Sequence, residues 1–181
     1  MNDTLKVIRS RYSCRAYGER EVAAEDLKVL AEAAVTAPSA MNRQGWRVVV
    51  VSDRELIREM DEEGMRVLET ADKAAFERMN SRGGKLFYNA PAMILVLTDA
   101  SKDAMDCGIV TQTIALAAQS MGIANVICGM AYIPLSGEKG AEFKSRLRFP
   151  EGFDFGMAVL LGYEEASGTP HTPDLEKILY V

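Results

Sequence analysis

Apolar positions recur at helical spacing over residues 25–37, where Leu27, Leu30, Ala31, Ala34 and Val35 share a face, acids open the segment and Pro38 closes it. The pattern predicts an amphipathic helix. It then changes period. Trp46–Val51 is a compact β-branched run that reads as a strand, and Ser52 followed by Glu55 forms a capping box opening a helix through about Leu68. Thr70 to Asn89 is charged and holds Gly83 and Gly84, which predicts a short helix, then a flexible connection with room for a lid. Pro91 leads into Met93–Leu97, apolar at every position and therefore a buried strand. Asp99 or Ser101 caps a long helix from about Lys102 to Met121, ended by Gly122 in the left-handed conformation. Ala124–Cys128 and Phe155–Leu161 supply two further strands, with a helical piece near Glu138–Leu147 between them.

The long helix carries Gly108, Ala115, Ala117 and Ala118 beside Ile109, Val110, Ile114 and Leu116. A helix apolar or small around much of its circumference must be buried, here at a dimer interface. Roughly four strands interspersed with five or six helices fit an α+β sandwich better than regular βαβ repeats. The chain has 181 residues, no repeat and no linker, which suits a single domain over residues 1–181.

Composition narrows the function classes. A net charge of −5 argues against a general polyanion binder, because nucleic-acid affinity rests on many cations neutralising phosphates. Cys14, Cys107 and Cys128 are scattered, odd in number and without CxxC spacing, so neither a disulfide framework nor a zinc cage is indicated and a reducing cytoplasm fits. The polar, charged N-terminus lacks the apolar run of a secretory signal, and no apolar stretch approaches the roughly 20 residues of a membrane span. Without GxGxxG, GxxxxGK[ST] or HExxH, a resident Rossmann dinucleotide, a P-loop nucleotide and a zincin metal are unsupported. A lone histidine weakens hydrolase readings.

Two segments can carry chemistry. In Arg11-Tyr12-Ser13-Cys14-Arg15-Ala16-Tyr17, an extended backbone points Arg11, Ser13 and Arg15 to one side. Two forked guanidiniums and a hydroxyl suit a phosphate dianion, although a solvated basic strand reads the same way. In Ala37-Pro38-Ser39-Ala40-Met41-Asn42-Arg43-Gln44-Gly45-Trp46, proline ends a helix and a loop presents Ser39, Asn42 and Gln44 before a strand. Carboxamides match the mixed donor and acceptor edge of a flavin ring, and they equally suit a polar turn holding its own hydrogen bonds.

Together the pair is more specific: RxSxR-Y near the N-terminus and A-P-S-x-x-N-x-Q-x-W about two dozen residues on resemble the nitroreductase family of FMN enzymes. Asn89-Ala90-Pro91, the Gly122–Met130 stretch and Leu161-Gly162-Tyr163 extend the resemblance over essentially the whole chain. It implies a central, mostly antiparallel sheet flanked by helices, in an intertwined homodimer with FMN at the subunit interface. Arg11, Tyr12, Ser13 and Arg15 match the family's phosphate and ribityl contacts; Pro38, Ser39, Asn42 and Gln44 match a loop that reaches the partner's flavin. Cys128, Gly129 and Met130 match the strand end whose backbone approaches N5 and O4, and Lys85 lies near a basic residue beside N1 and O2. Gly45 replaces a frequent proline. Where relatives place arginine or lysine on the phosphate, this chain has His171, which either donates to phosphate or is an exposed loop histidine. The implied activity is hydride transfer from NAD(P)H through flavin N5 to an electron-poor acceptor, nitroaromatic or quinone, in ping-pong order. No catalytic side chain and no metal is needed. The alternatives are a flavin-binding storage, sensor or partner-binding protein without turnover, and a cofactor-free dimerisation module.

Overall fold

Seven consecutive buried residues set the architecture. They form β2 (Ala92–Thr98), paired on one side with β1 (Trp46–Val51) and on the other with β4 (Asp154–Gly162); β3 (Ala124–Ile127) lies beyond β4. The computed structural model describes residues 1–100 and 104–181. All three pairings are antiparallel, in the order β1-β2-β4-β3, with Val48 opposite Val96, Ile94 opposite Val159 and Val126 opposite Leu160.

Because successive strand residues face opposite ways, the sheet feeds two cores. Met93, Leu95 and Leu97 join Ala158 and Leu160 in one, whereas Ile94 and Val96 join Val159 and Leu161 in the other. The first core is closed by α3 (Arg54–Ala71) through Leu56, Ile57, Met60 and Leu68. Met79 of α4 (Lys73–Asn80), Leu135 of α6 (Tyr132–Ser136) and Phe143 of α7 (Gly140–Arg146) complete it. The second is closed by α2 (Ala24–Val35) through Leu27, Leu30 and Ala34, and by α5 (Ala104–Ser120) through Cys107, Val110, Ile114 and Ala118. Each fully buried leucine contributes about 1.5–3 kcal/mol relative to exposure. Helices on both faces of an antiparallel sheet make the expected α+β sandwich. Among the described residues, no helix is long and apolar enough to cross a membrane.

The long helix ends in a Schellman motif around Gly122 (φ +71°): Ile123 N–H donates to Ala118 O and Gly122 N–H to Gln119 O. Its expected start at Lys102 and the Ser101 cap lie outside the described residues. The cap of α3 is Asp53 rather than Ser52, its carboxylate accepting from Glu55 N and Leu56 N at 3.0 and 3.1 Å, and the helix runs to Ala71. Asn2 caps a helix, α1 (Asp3–Ser10), that was not among the predicted elements; its Leu5 and Ile8 lie at helical spacing on one face, but that face is exposed and the helix buries no residue. The expected lid is also corrected. Although Gly83 and Gly84 turn at positive φ, Leu86 and Phe87 behind them are fully buried, and Phe87 N donates to Asp61 Oδ1 at 2.8 Å. Two large side chains in the core hold that connection down.

The N-terminal segment is stitched to the exit of β4. Gly18 N donates to Tyr163 O, Glu165 N to Ala16 O, and the Tyr17 hydroxyl to Leu160 O at 3.3 Å. Gly162 permits this closeness, since a Cβ there would stand 2.7 Å from both Pro91 Cδ and the Tyr17 ring. Gly162→Ala is expected to destabilise the fold by about 1–3 kcal/mol through overpacking. Urea unfolding measures it, and a loss below about 0.5 kcal/mol, the scatter of neutral surface changes, would contradict the packing account.

Candidate functional site

Leaving α1 at Arg11 (φ −65°, ψ 131°), the chain runs extended along edge strand β3, where Cys14 N donates to Asn125 O at 2.9 Å. Cys14 and Tyr17 are buried in the first core, which fixes the segment, whereas Arg15 stays exposed. Arg11 and Ser13 are half-buried between these anchors. Arg11 Nη1 and the Tyr12 hydroxyl are both buried and have no hydrogen-bond partner among the described residues. Leaving such a group unpaired costs about 1–3 kcal/mol. Both atoms therefore have hydrogen-bonding capacity that the described residues do not use. The C-terminal tail covers the segment: a Cβ on Gly168 would stand 2.4 Å from two Tyr12 ring carbons. His171, three residues further on, is exposed.

The second segment is a tight loop leading into β1, at the opposite edge of the sheet. Met41, Asn42 and Gln44 all have left-handed φ (53°, 54° and 50°) with no glycine among them. That conformation costs roughly 1–2 kcal/mol for an L-residue, less for asparagine. Hydrogen bonds hold it: Gln44 N donates to Ser39 Oγ at 2.9 Å, Gln44 Nε2 to Asn42 Oδ1 at 2.9 Å, and Ala40 N to Asp106 Oδ1 at 3.0 Å. Pro38, Asn42 and Gln44 are exposed and Ser39 half-buried, with Met41 94% exposed at the tip. At the loop's end Gly45 makes room for Asp99, whose Oδ2 would lie 2.7 Å from a Cβ.

Cys128 ends β3, its N–H donating to Ala158 O at 2.8 Å, and residues 129–131 form a single 3₁₀ turn. A Cβ on Gly129 would meet only Met157 Sδ, at an ordinary 3.7 Å, so the chain's own packing does not demand glycine there. The exposed backbone is open to close approach from outside. Burial pushes the Cys128 thiol up to about 11, against backbone N–H groups of Ala131 and Met130 that lower it, and burial also raises Cys14. Burial thus favours the protonated thiol at both positions, the opposite of the depressed value that activates a cysteine nucleophile.

Lys85 lines a cavity of about 650 Å³ with Tyr17, Arg58, Asp61, Asn89 and Glu165. Its Nζ lies 3.7 Å from Asp61 Oδ2, and Asp61 is buried. Lys85 thus shares the lining of one cavity with Tyr17, while Arg11, Ser13, Arg15 and Cys128 do not line it. Sequence reading missed three contributors: Asp61, Asp106 and Gly168. Asp61 alone had a signal, since it shares the buried α3 face with Ile57, Gly64 and Leu68.

The sequence profile of the Nitroreductase family matches residues 8–163. A curated protein of Archaeoglobus fulgidus, provisionally named NADH dehydrogenase/NAD(P)H nitroreductase, is 33% identical over 170 residues, covering 90% of this chain and 86% of that protein. Among solved structures, a nitroreductase with bound FMN from Desulfitobacterium hafniense DCB-2 is 50% identical, with a TM-score of 0.96 over 100% of this chain and 99% of that one. Another with bound FMN, from Bacteroides fragilis, is 25% identical, with a TM-score of 0.89 and 100% coverage of both chains.

Burial raises the Asp61 carboxyl above its ordinary 3.8, against the Phe87 N–H and Lys85, which lower it. An acid whose pKa is higher folded than unfolded stabilises the native state less once pH climbs above 3.8 and through the raised value. Asp61→Asn, which keeps an oxygen for Phe87 N–H, removes that loss. In unfolding titrations from about pH 3 to about pH 7, the stability of the variant relative to the parent chain should rise with pH. A difference independent of pH would contradict the assignment.

Proposed function

The chain belongs to the Nitroreductase family, and from that premise we propose that it is an FMN-dependent NAD(P)H oxidoreductase with one flavin-binding domain over residues 1–181, acting as a homodimer in the cytoplasm. The observation that carries this reading is the buried, unpartnered Arg11 Nη1 in an extended strip with Ser13 and Arg15. A flavin phosphate supplies the acceptors that such donors lack. The FMN of the 50%-identical Desulfitobacterium hafniense structure supports the cofactor.

Arg11, Ser13 and Arg15 hold the phosphate and ribityl chain, with the Tyr12 hydroxyl beside them. His171 adds a donor from the tail. Cys128, Gly129 and Met130 offer backbone to the N5 and O4 edge, while Lys85, braced by Asp61, places a cation toward N1 and O2. Pro38, Ser39, Asn42 and Gln44 serve the partner's flavin. Sheet order supports that cross-subunit assignment: the loop enters β1 and the cationic strip flanks β3, opposite edges about 14 Å apart at the usual strand spacing. Apolar side chains left exposed supply the material of an interface, namely Leu5 and Ile8 of α1, Met105 of α5, and Leu175, Leu179 and Tyr180 in the tail. Three buried free cysteines fit a reducing compartment.

The redox chemistry is the flavin's: hydride from NAD(P)H passes through N5 to an electron-poor acceptor, nitroaromatic or quinone, in ping-pong order. The chain's part is to bind, orient and shield, with no side-chain nucleophile. Protein purified without added cofactor should show a flavin spectrum that NADH or NADPH bleaches and an acceptor restores. Bound FMN without turnover would support a storage or sensor protein instead. Arg11→Ala should weaken FMN binding by about 1.5–3 kcal/mol, the scale of a hydrogen bond to a charged group. An unchanged Kd would reject the phosphate role.

A further inference from the structure

The amide loop is a strained conformation that its own sequence does not enforce: three of its four residues from 41 to 44, Met41, Asn42 and Gln44, sit at positive φ without glycine. Such geometry persists only where surrounding groups over-determine it. Ser39 Oγ and the Asn42–Gln44 side-chain pair act within the loop and would travel with it if it swung. Asp106 does not. It sits in the first turn of α5, a helix packed on the second core through its neighbour Cys107, and it is buried at 7% exposure. Both of its carboxylate oxygens face the Ala40 amide, at 3.0 and 3.3 Å. Ala40 opens the 3₁₀ turn that carries Met41 and Asn42, so fixing its N–H fixes where the turn begins.

We propose that Asp106 is the positioning residue of the flavin-contact loop: its carboxylate pins the Ala40 N–H and so sets the direction in which Asn42 and Gln44 are presented. The inference rests on the proposed FMN site and deepens it. Asp106 acts through backbone, from a helix whose outer residues Met105 and Gly108 are exposed. The latch therefore ties the loop to the same helix that the proposed dimer would bring against its partner.

Two substitutions remove the same bond from opposite ends. Asp106→Ala removes the acceptor. Ala40→Pro removes the donor at a position where proline is tolerated, the first residue of a helical turn preceded by an extended Ser39 (φ −138°, ψ 158°). With purified holoenzyme, each should weaken FMN binding by about tenfold or more, the scale of a lost charge-assisted hydrogen bond, and should speed hydrogen exchange over residues 39–44. Asp106→Asn, whose amide oxygen still accepts, should stay within about threefold of the parent. The Asp106→Ala/Ala40→Pro double variant should be no weaker than the worse single one, because one interaction is lost once. If Asp106→Ala does not fold, Ala40→Pro carries the measurement alone.

Additive losses in the double variant, or an Asn variant as weak as the Ala variant, would overturn the latch. Faster exchange with unchanged FMN affinity, while Arg11→Ala still weakens it, would overturn the positioning role and leave the FMN site standing. If Arg11→Ala leaves FMN affinity unchanged as well, the proposed function has failed and this inference falls with it.

Discussion

Antiparallel pairing in the order β1-β2-β4-β3 leaves the sheet two edges, and each edge carries one half of the candidate site. The cationic strip lies against β3 through the Cys14 to Asn125 bond; the amide loop feeds β1. Between them stand β2 and β4, whose fully buried cores fix the spacing. Because native cores are close-packed, that separation is not adjustable by side-chain motion. Whatever small molecule needs both halves must either span the end of the sheet or take one half from another chain.

Each half is held by a different device. The strip is held by burial: Cys14 and Tyr17 face the core, Gly162 lets the Tyr17 ring approach, and Gly168 lets the tail lie across Tyr12. The loop is held by polar bonds to a buried carboxylate and within itself, against unfavourable φ values. One is bulk packing with polar donors kept in reserve; the other is a short strained turn with its amides outward. That difference makes the strip a rigid element and the loop a presented polar edge.

Strands and the core-facing helices were legible because their periods reflect burial: Met93–Leu97, apolar throughout, read as a buried strand and is one, and Gly122 read as the end of the long helix and closes α5. The strip and loop were legible as residue types, RxSxR and PSxxNxQ. Their setting was not. Helix α1 has only eight residues, so the stripe of Leu5 and Ile8 is too brief to stand out in a charged N-terminal segment, and the Asp53 cap competed with an equally plausible Ser52 one residue earlier. The expected lid failed because glycines at 83 and 84 say nothing about Leu86 and Phe87 plugging the core behind them. Asp106 lies 66 residues from Ala40 in sequence, and a bond that long-ranged leaves no local pattern to find.

The central claim is that one chain's cationic strip and another's amide loop complete a single flavin site. Co-expressing an Arg11→Ala chain with an Asn42→Ala chain and isolating the mixed dimer tests it most directly. If the site is shared, both changes fall on one site and the other keeps Arg11 and Asn42 intact, so the dimer should retain one tightly bound FMN where each parental homodimer retains none. If both halves come from the same chain, every site in the mixed dimer carries one defect, and a dimer with no tightly bound flavin would contradict the account.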